Sequence, residues 1–409
     1  MKIFIVTTLI LICYLLLDQV YDQYLWDLNT IITKYLQTYQ DPFYEIMFNC
    51  FSDWINLLPQ IAFLIFIFTE NKLAYIIYVC LIQSITSINS VLKNLYHQPR
   101  PYWIESEIQA LSCNKDFGKP SGHTMASLTT FALFPLIVLP QNFKKKHRPI
   151  QIIVIGIMSI WTVMAALSRI YLGMHSIGQI LLGWVYTGYF IIIYISYLHK
   201  PILNYLKKRL SSVEKGISWK FVAITGLTTF IYLIISILLY YWNKNYVYYD
   251  QTELNLWLSI IQQKCSNQTH LLELSDSKVF YNFCLYKSFE ITLIFFIILG
   301  IKISNGKYDE EYFIHNYSLL NQKQKLMRIL IVLILLFPLK ILEMNENDNV
   351  WLIIIIQTIP WNAFCGLSLT FGYSKLLKYY KLNIEGDFLY IKQDPQTIYG
   401  KYKEIKICV

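Results

Sequence analysis

Residues 168–197 read SRIYLGMHSIGQILLGWVYTGYFIIIYISY. Ser168-Arg169, five further residues and His175 form a short connection between two apolar runs, 150–167 and 177–197. Both runs are long enough to cross a bilayer, and an arginine and an imidazole stand at the mouth of these segments, a candidate site whose plainer reading is a snorkelling cation and a structural histidine.

Working outward, further apolar stretches of spanning length lie at 55–70, 73–92, 121–140, 220–242, 287–303, 328–343 and 351–373. Another, Ile3–Leu17, follows Lys2. It reads as a retained first helix, because no small-residue cleavage site follows it, with a cleaved signal peptide as the alternative. Of 409 residues, 55% are hydrophobic and 15% charged, against about 25% charged in soluble domains. Mean hydropathy is +0.40. The 33 Tyr, 24 Phe and 10 Trp suit rings that sit at headgroup level. The fold class expected is all-α, a polytopic transmembrane helix bundle with a six-helix core and about four C-terminal helices. The net charge of +9 resides largely in loop lysines, which indicates topology and anionic-lipid contact rather than a nucleic-acid partner.

Those loops orient the chain. Lys144, Lys145, Lys146 and Arg148 fall in one; Lys200, Lys207, Lys208, Arg209 and Lys215 fall in another; 304–328 and the tail from Lys375 add more. With one crossing per stretch all share a side, which positive charge marks as cytosolic. Residues 18–54, 93–120, 168–176 and 243–286 then lie on the lumenal or exoplasmic side. Asn267-Gln268-Thr269, a glycosylation acceptor pattern, falls there, whereas Asn316-Tyr317-Ser318 falls on the cytosolic side. Cys50, Cys113, Cys265 and Cys284 are outer cysteines. They allow three pairings; Cys265 with Cys284 is the expected one, and unpaired buried thiols are the alternative. Over 25–38 the apolar residues Leu25, Leu28, Ile31, Ile32, Tyr35 and Leu36 share one helical face, which suggests a separate interfacial helix.

Three motifs share the outer side: Lys93, six residues, Arg100-Pro101; then Pro120-Ser121-Gly122-His123; then Ser168-Arg169, five residues, His175. Arg100 and Arg169 offer planar forks to phosphate oxygens and Lys93 a point charge. Ser121 and Gly122 open a helix whose free N–H groups form an anion site, with the Ser121 hydroxyl as a further donor. His175 suits a nucleophile that attacks phosphorus, and His123 an acid that protonates the leaving group and then activates water. Neighbouring cations favour the neutral imidazole that a nucleophile requires. Charge is neutralised without a metal, and no cofactor is implied. Taken singly, each motif has a plainer reading: snorkelling cations, helix capping, a structural histidine. Their order and shared side argue for one site.

Together the motifs resemble the type 2 phosphatidic acid phosphatase superfamily, whose soluble relatives are vanadium haloperoxidases. Arg100-Pro101-Tyr102-Trp103, Phe117-Gly118-Lys119 and Ile170-Tyr171-Leu172-Gly173 extend the likeness, which runs roughly from Asn29 to Tyr197. The resemblance implies that His175 is the nucleophile, His123 the acid and base, and that Lys93, Arg100, Ser121, Gly122 and Arg169 bind phosphate. It also implies metal-independent hydrolysis in a six-helix bundle, here Ile3–Leu17 and the next five spans. Where many members carry an Asp four residues after the nucleophile, this chain has Gln179. Its amide oxygen can still accept the imidazole N–H one helical turn away.

The expected organisation is a hydrophobic segment at 1–24, a catalytic domain at 25–200, additional transmembrane helices at 201–373 and a cytosolic tail at 374–409. The expected activity is hydrolysis of a lipid phosphate or lipid pyrophosphate at the lumenal face, with the bilayer and that substrate as partners. An endomembrane such as the endoplasmic reticulum is favoured over the plasma membrane. Glucose-6-phosphatase-like sugar-phosphate hydrolysis is the alternative within the chemistry, since Arg100-Pro101-Tyr102-Trp103, Gln179 and the extra spans are similar to that branch. A non-catalytic scaffold or transporter is the alternative of another class; haloperoxidase activity ranks last.

Overall fold

A computed structural model describes residues 2–39, 41–53, 72–138, 148–210, 217–246, 251–265, 279–304, 320–336 and 349–382. The expected span 55–70, both glycosylation patterns, most of the basic loops and the tail beyond 382 lie outside the described residues. Among the described residues there is no strand, and seven helices are long and apolar enough to cross a membrane. The chain is an all-α polytopic bundle.

The first helix, α1, runs from Lys2 to Gln37. The interfacial helix expected over 25–38 is therefore a continuation of Ile3–Leu17, not a separate element. Nothing between Leu17 and Leu25 breaks a helix, and hydropathy reports the thickness of the bilayer, not the length of the helix that crosses it. Thirty-six residues extend about 54 Å at 1.5 Å each, well past a hydrocarbon core of about 30 Å. The helix is inside-out: Ile10, Leu16 and Val20 are exposed, whereas the buried positions are Asp18, Asn29, Thr33 and Gln37. In lipid this is the stable arrangement, because polar groups find partners only within the bundle.

After α2 (Pro42–Asp53) come α3 (Lys72–Tyr96), the short α4 (Pro101–Ile104), α5 (Gly122–Leu133), α6 (Arg148–Tyr171) and α7 (Ile177–Ile193). Helix α5 packs on α3, α6 and α7, and α1 lies along α7. The alternating chain direction brings the C-terminal ends of α3 and α6 and the N-terminal ends of α5 and α7 to one end of the bundle. All three motifs stand there. Arg148 and Lys200 stand at the other.

The C-terminal half is α8 (His199–Leu210), α9 (Trp219–Tyr246), α10 (Gln251–Lys264), α11 (Val279–Ser288), α12 (Thr292–Ser304), α13 (Gln322–Leu336) and α14 (Val350–Tyr379). It packs on the core through α3, against which α9 and α11 lie. At the motif end, Trp103 meets Phe280 at 4.8 Å and Trp257 at 5.8 Å between ring centroids. Phe117 meets Tyr281 at 5.1 Å. Lys264, the last residue of α10, donates to the main-chain oxygens of Glu105, Ser106 and Ile108 at 2.7, 3.4 and 3.0 Å. Pro360 and Asn362 lie in α14, where Asn362 Nδ2 donates to Phe289 O at 3.2 Å and Thr292 Oγ1 at 2.9 Å, a packing role.

One disulfide joins Cys113 to Cys265, with Cα atoms 6.2 Å apart. The Cys265–Cys284 pairing expected from the sequence does not form. Cys284 points from α11 into the core and is buried as a free thiol, while Cys265 closes the end of α10 over the 105–121 segment. Non-reducing peptide mapping is expected to recover Cys113 and Cys265 in one cross-linked pair, with Cys284 alkylated only after denaturation. Cys265→Ser should lower stability by about 2–4 kcal/mol in thermal or denaturant unfolding.

Candidate active site

Each motif residue is delivered by a helix end. Helix α6 finishes at Tyr171, and the chain turns through Gly173, whose φ of 73° is left-handed. A Cβ there would also lie 2.6 Å from Gln109 O, so glycine is required twice over. The Arg169 carbonyl accepts the N–H groups of Met174 and His175 at 2.9 and 3.2 Å, a C-terminal cap that tucks His175 back under the helix. Ser176 then opens α7 with a capping box completed by Gln179.

The His175 ring is locked. Its Nδ1 stands 2.9 Å from Gly118 O and 3.1 Å from Gln179 Oε1. Both partners accept, so Nδ1 carries the proton and donates. Nε2 therefore holds the lone pair, and it faces Arg100 Nη1 at 3.2 Å. Burial comes first, then the positive charges of Arg100, Lys93 and Arg169, with His123 beside them; together they hold the His175 imidazole well below its ordinary value of 6.5. It is neutral at physiological pH.

Lys93 and Arg100 are buried at 3% and 1% exposure, and the residue that compensates them is Asp116, which the motifs do not include. Its two carboxylate oxygens pair with Lys93 Nζ and Arg100 Nη2. Arg100 Nε also donates to the Asp116 main-chain oxygen at 2.8 Å, and Nη1 to Met174 O at 3.0 Å. Burial alone would raise the Asp116 carboxyl, but Lys93 and Arg100 outweigh it and hold it below the usual carboxylate range. The signal for this residue was the need for a counter-charge near two buried cations. Glu105, Glu107 and Asp116 all lie in the same segment, and only the fold decides which one turns inward.

Arg169 donates to Ser52 on α2, another residue outside the motifs. At the head of α5, the Ser121 N–H donates to Gln179 O at 3.0 Å. The Ser121 hydroxyl is fully buried and meets no hydrogen-bond partner among the described residues. Gly122 sits where a Cβ would lie 2.8 Å from Asn89 Oδ1, so the first turn of α5 presses onto α3. His123 follows, half-buried, within electrostatic reach of Arg169, Lys93 and Arg100. The fold thus gathers Lys93, Arg100, Ser121, Gly122, His123, Arg169, His175 and Gln179 at one end of the bundle. Among the described residues no group of three His, Cys, Asp or Glu side chains is placed to hold a metal ion.

A cluster of buried cations around a locked imidazole suits a membrane protein of phosphatase type. Residues 72–202 match the family model of the PAP2 superfamily, the superfamily of phosphatase and haloperoxidase type that the three motifs resemble. No curated protein and no solved structure was found to match the chain.

Two outcomes are expected. Asp116→Asn leaves two buried cations facing each other and should destabilise the protein by about 3–5 kcal/mol. Added inorganic phosphate should restore most of that loss in a melting experiment, since an anion that binds the folded state replaces the missing charge. Separately, protonation of His175 should cost no kcat/KM as pH falls through 6.5, and any loss from it should appear only well below that value, in a pH–rate profile.

Proposed function

We propose that the chain hydrolyses a phosphate ester through a phosphohistidine intermediate, with a lipid phosphate or lipid pyrophosphate as substrate. The observation that carries this reading is the fixed tautomer of His175, whose Nε2 lone pair faces a pocket of buried cations. The phosphoryl oxygens are held by Lys93, Arg100 and Arg169, by the Ser121 hydroxyl and by the first-turn N–H groups of α5, which have no intrahelical acceptor. Nε2 attacks phosphorus, the bond to the leaving oxygen breaks, and His123, which carries a proton once the bound phosphate offsets the neighbouring cations, gives it to that oxygen. His123 then takes a proton from water, whose oxygen attacks phosphorus. The P–N bond breaks and its electron pair returns to Nε2.

Two features support a lumenal or exoplasmic site. Arg148 and Lys200 stand at the opposite end of the bundle, as positive charge does on the cytosolic side. The Cys113–Cys265 disulfide stands at the motif end, as suits an oxidising compartment. A lipid substrate is supported by Leu95 and Ile104, exposed apolar side chains beside Lys93 and Trp103; acyl chains could remain in the bilayer while the headgroup reaches the cations.

The test is inorganic phosphate release by detergent-purified protein in EDTA, with phosphatidic acid, an isoprenoid diphosphate and glucose 6-phosphate as substrates. Lipid turnover is expected, and His175→Ala should reduce it by about 1,000-fold or more. Turnover of the sugar phosphate alone would move the assignment to the sugar-phosphate branch. Binding without turnover by folded protein would leave a scaffold or transporter as the better reading.

A further inference from the structure

The hydrogen bonds around His175 do not stop at Gln179. Gln179 Oε1 accepts from Ser176 N at 3.2 Å, and Gln179 Nε2 donates to Pro99 O at 2.8 Å. A main-chain N–H can only donate and a main-chain oxygen can only accept, so both bonds favour the same orientation of the amide. The same Nε2 donates to Gln98 Oε1 at 3.0 Å, and Gln98 Nε2 donates to Asp22 Oδ2 at 2.7 Å. A carboxylate cannot donate, which fixes the second amide as well. Asp22 is held in turn: Lys119 Nζ bonds its Oδ1 at 2.7 Å and Asp18 Oδ2 at 2.8 Å. The series from Asp22 to His175 has one donor direction throughout and leaves no amide free to flip.

We propose that Gln98 and Asp22 are positioning residues for His175, holding the Gln179 amide in the one orientation that keeps the imidazole proton on Nδ1 and the lone pair on Nε2. The proposal rests on His175 as the nucleophile. It also extends the site beyond the matched family region, because Asp22 belongs to α1. Asp22 acts by orientation more than by charge, since its side chain is 35% exposed and water screens it. Gln98 matters more: without its oxygen, Gln179 Nε2 keeps only Pro99 O, and the amide is held against His175 by one bond fewer.

The test compares Gln98→Leu, Asp22→Ala and Asp22→Asn with wild type. Gln98→Leu should lower kcat about 10-fold, one net hydrogen bond expressed in the transition state, while KM changes less than about twofold. Asp22→Ala should lower kcat by a smaller factor. Asp22→Asn should lower it by a similar factor, because the Lys119 ammonium takes the single Asn oxygen and leaves Nδ2, a donor, facing Gln98 Nε2. A second readout needs no turnover. Orthovanadate takes the Nε2 lone pair into a fifth bond at vanadium, whereas inorganic phosphate binds through the cations alone. Gln98→Leu should weaken vanadate about 10-fold and phosphate less than about twofold. Equal weakening of both anions, or no change in either with the melting temperature preserved, overturns the proposal. If Gln98→Leu does not fold, the Asp22→Ala and Asp22→Asn pair decides by the same anion ratio. If wild type turns over no substrate yet the ratio shifts as expected, the relay stands and the phosphatase reading fails. If wild type is active and the ratio is unmoved, the relay fails alone.

Discussion

Burying Lys93, Arg100 and Arg169 at one end of a membrane bundle is the constraint around which the rest is arranged. Each charge taken from water costs several kcal/mol unless it is paired and hydrogen-bonded. The fold meets this cost with Asp116, with the main-chain oxygens of Asp116 and Met174, and with Ser52 from α2. The two faces of that solution are stability and readiness. The cations are paired well enough for the helices to close, yet Arg100 Nη1 still reaches His175 Nε2.

What could be read from the sequence divides along a physical line. The three motifs were legible because each depends on residues near one another in the chain: a helix end, a turn, a first helical turn. Their convergence followed from alternating apolar spans. The Gln179 contact with His175 was likewise legible, since four residues is one turn of helix. Asp116 was not, because three acids share its segment and long-range packing selects among them. Nor was the disulfide, whose cysteines are 152 residues apart in sequence. The extent of α1 was misjudged for another reason. Its apolar run ends near Leu17, but the backbone has no cause to stop there, and the polar residues that follow are the ones the bundle buries.

The helices beyond the phosphatase core carry no catalytic constellation among the described residues, but they complete the wall of the site. Trp103, just after Arg100, and Phe117, next to Asp116, pack on rings from α10 and α11. The core's motif end is thus closed by side chains that the matched region does not supply.

The way α10 holds the segment after Trp103 has an evolutionary corollary. Lys264 grips Glu105, Ser106 and Ile108 through main-chain oxygens, which every amino acid possesses. That hold on the path of the chain asks nothing of the three side chains, although Ile108 is itself fully buried and Glu105 Oε1 accepts from Trp26 Nε1 at 2.9 Å. In such a protein, divergence in the loop's text would conceal constancy in its course, and the single lysine at 264 would be the letter that selection reads.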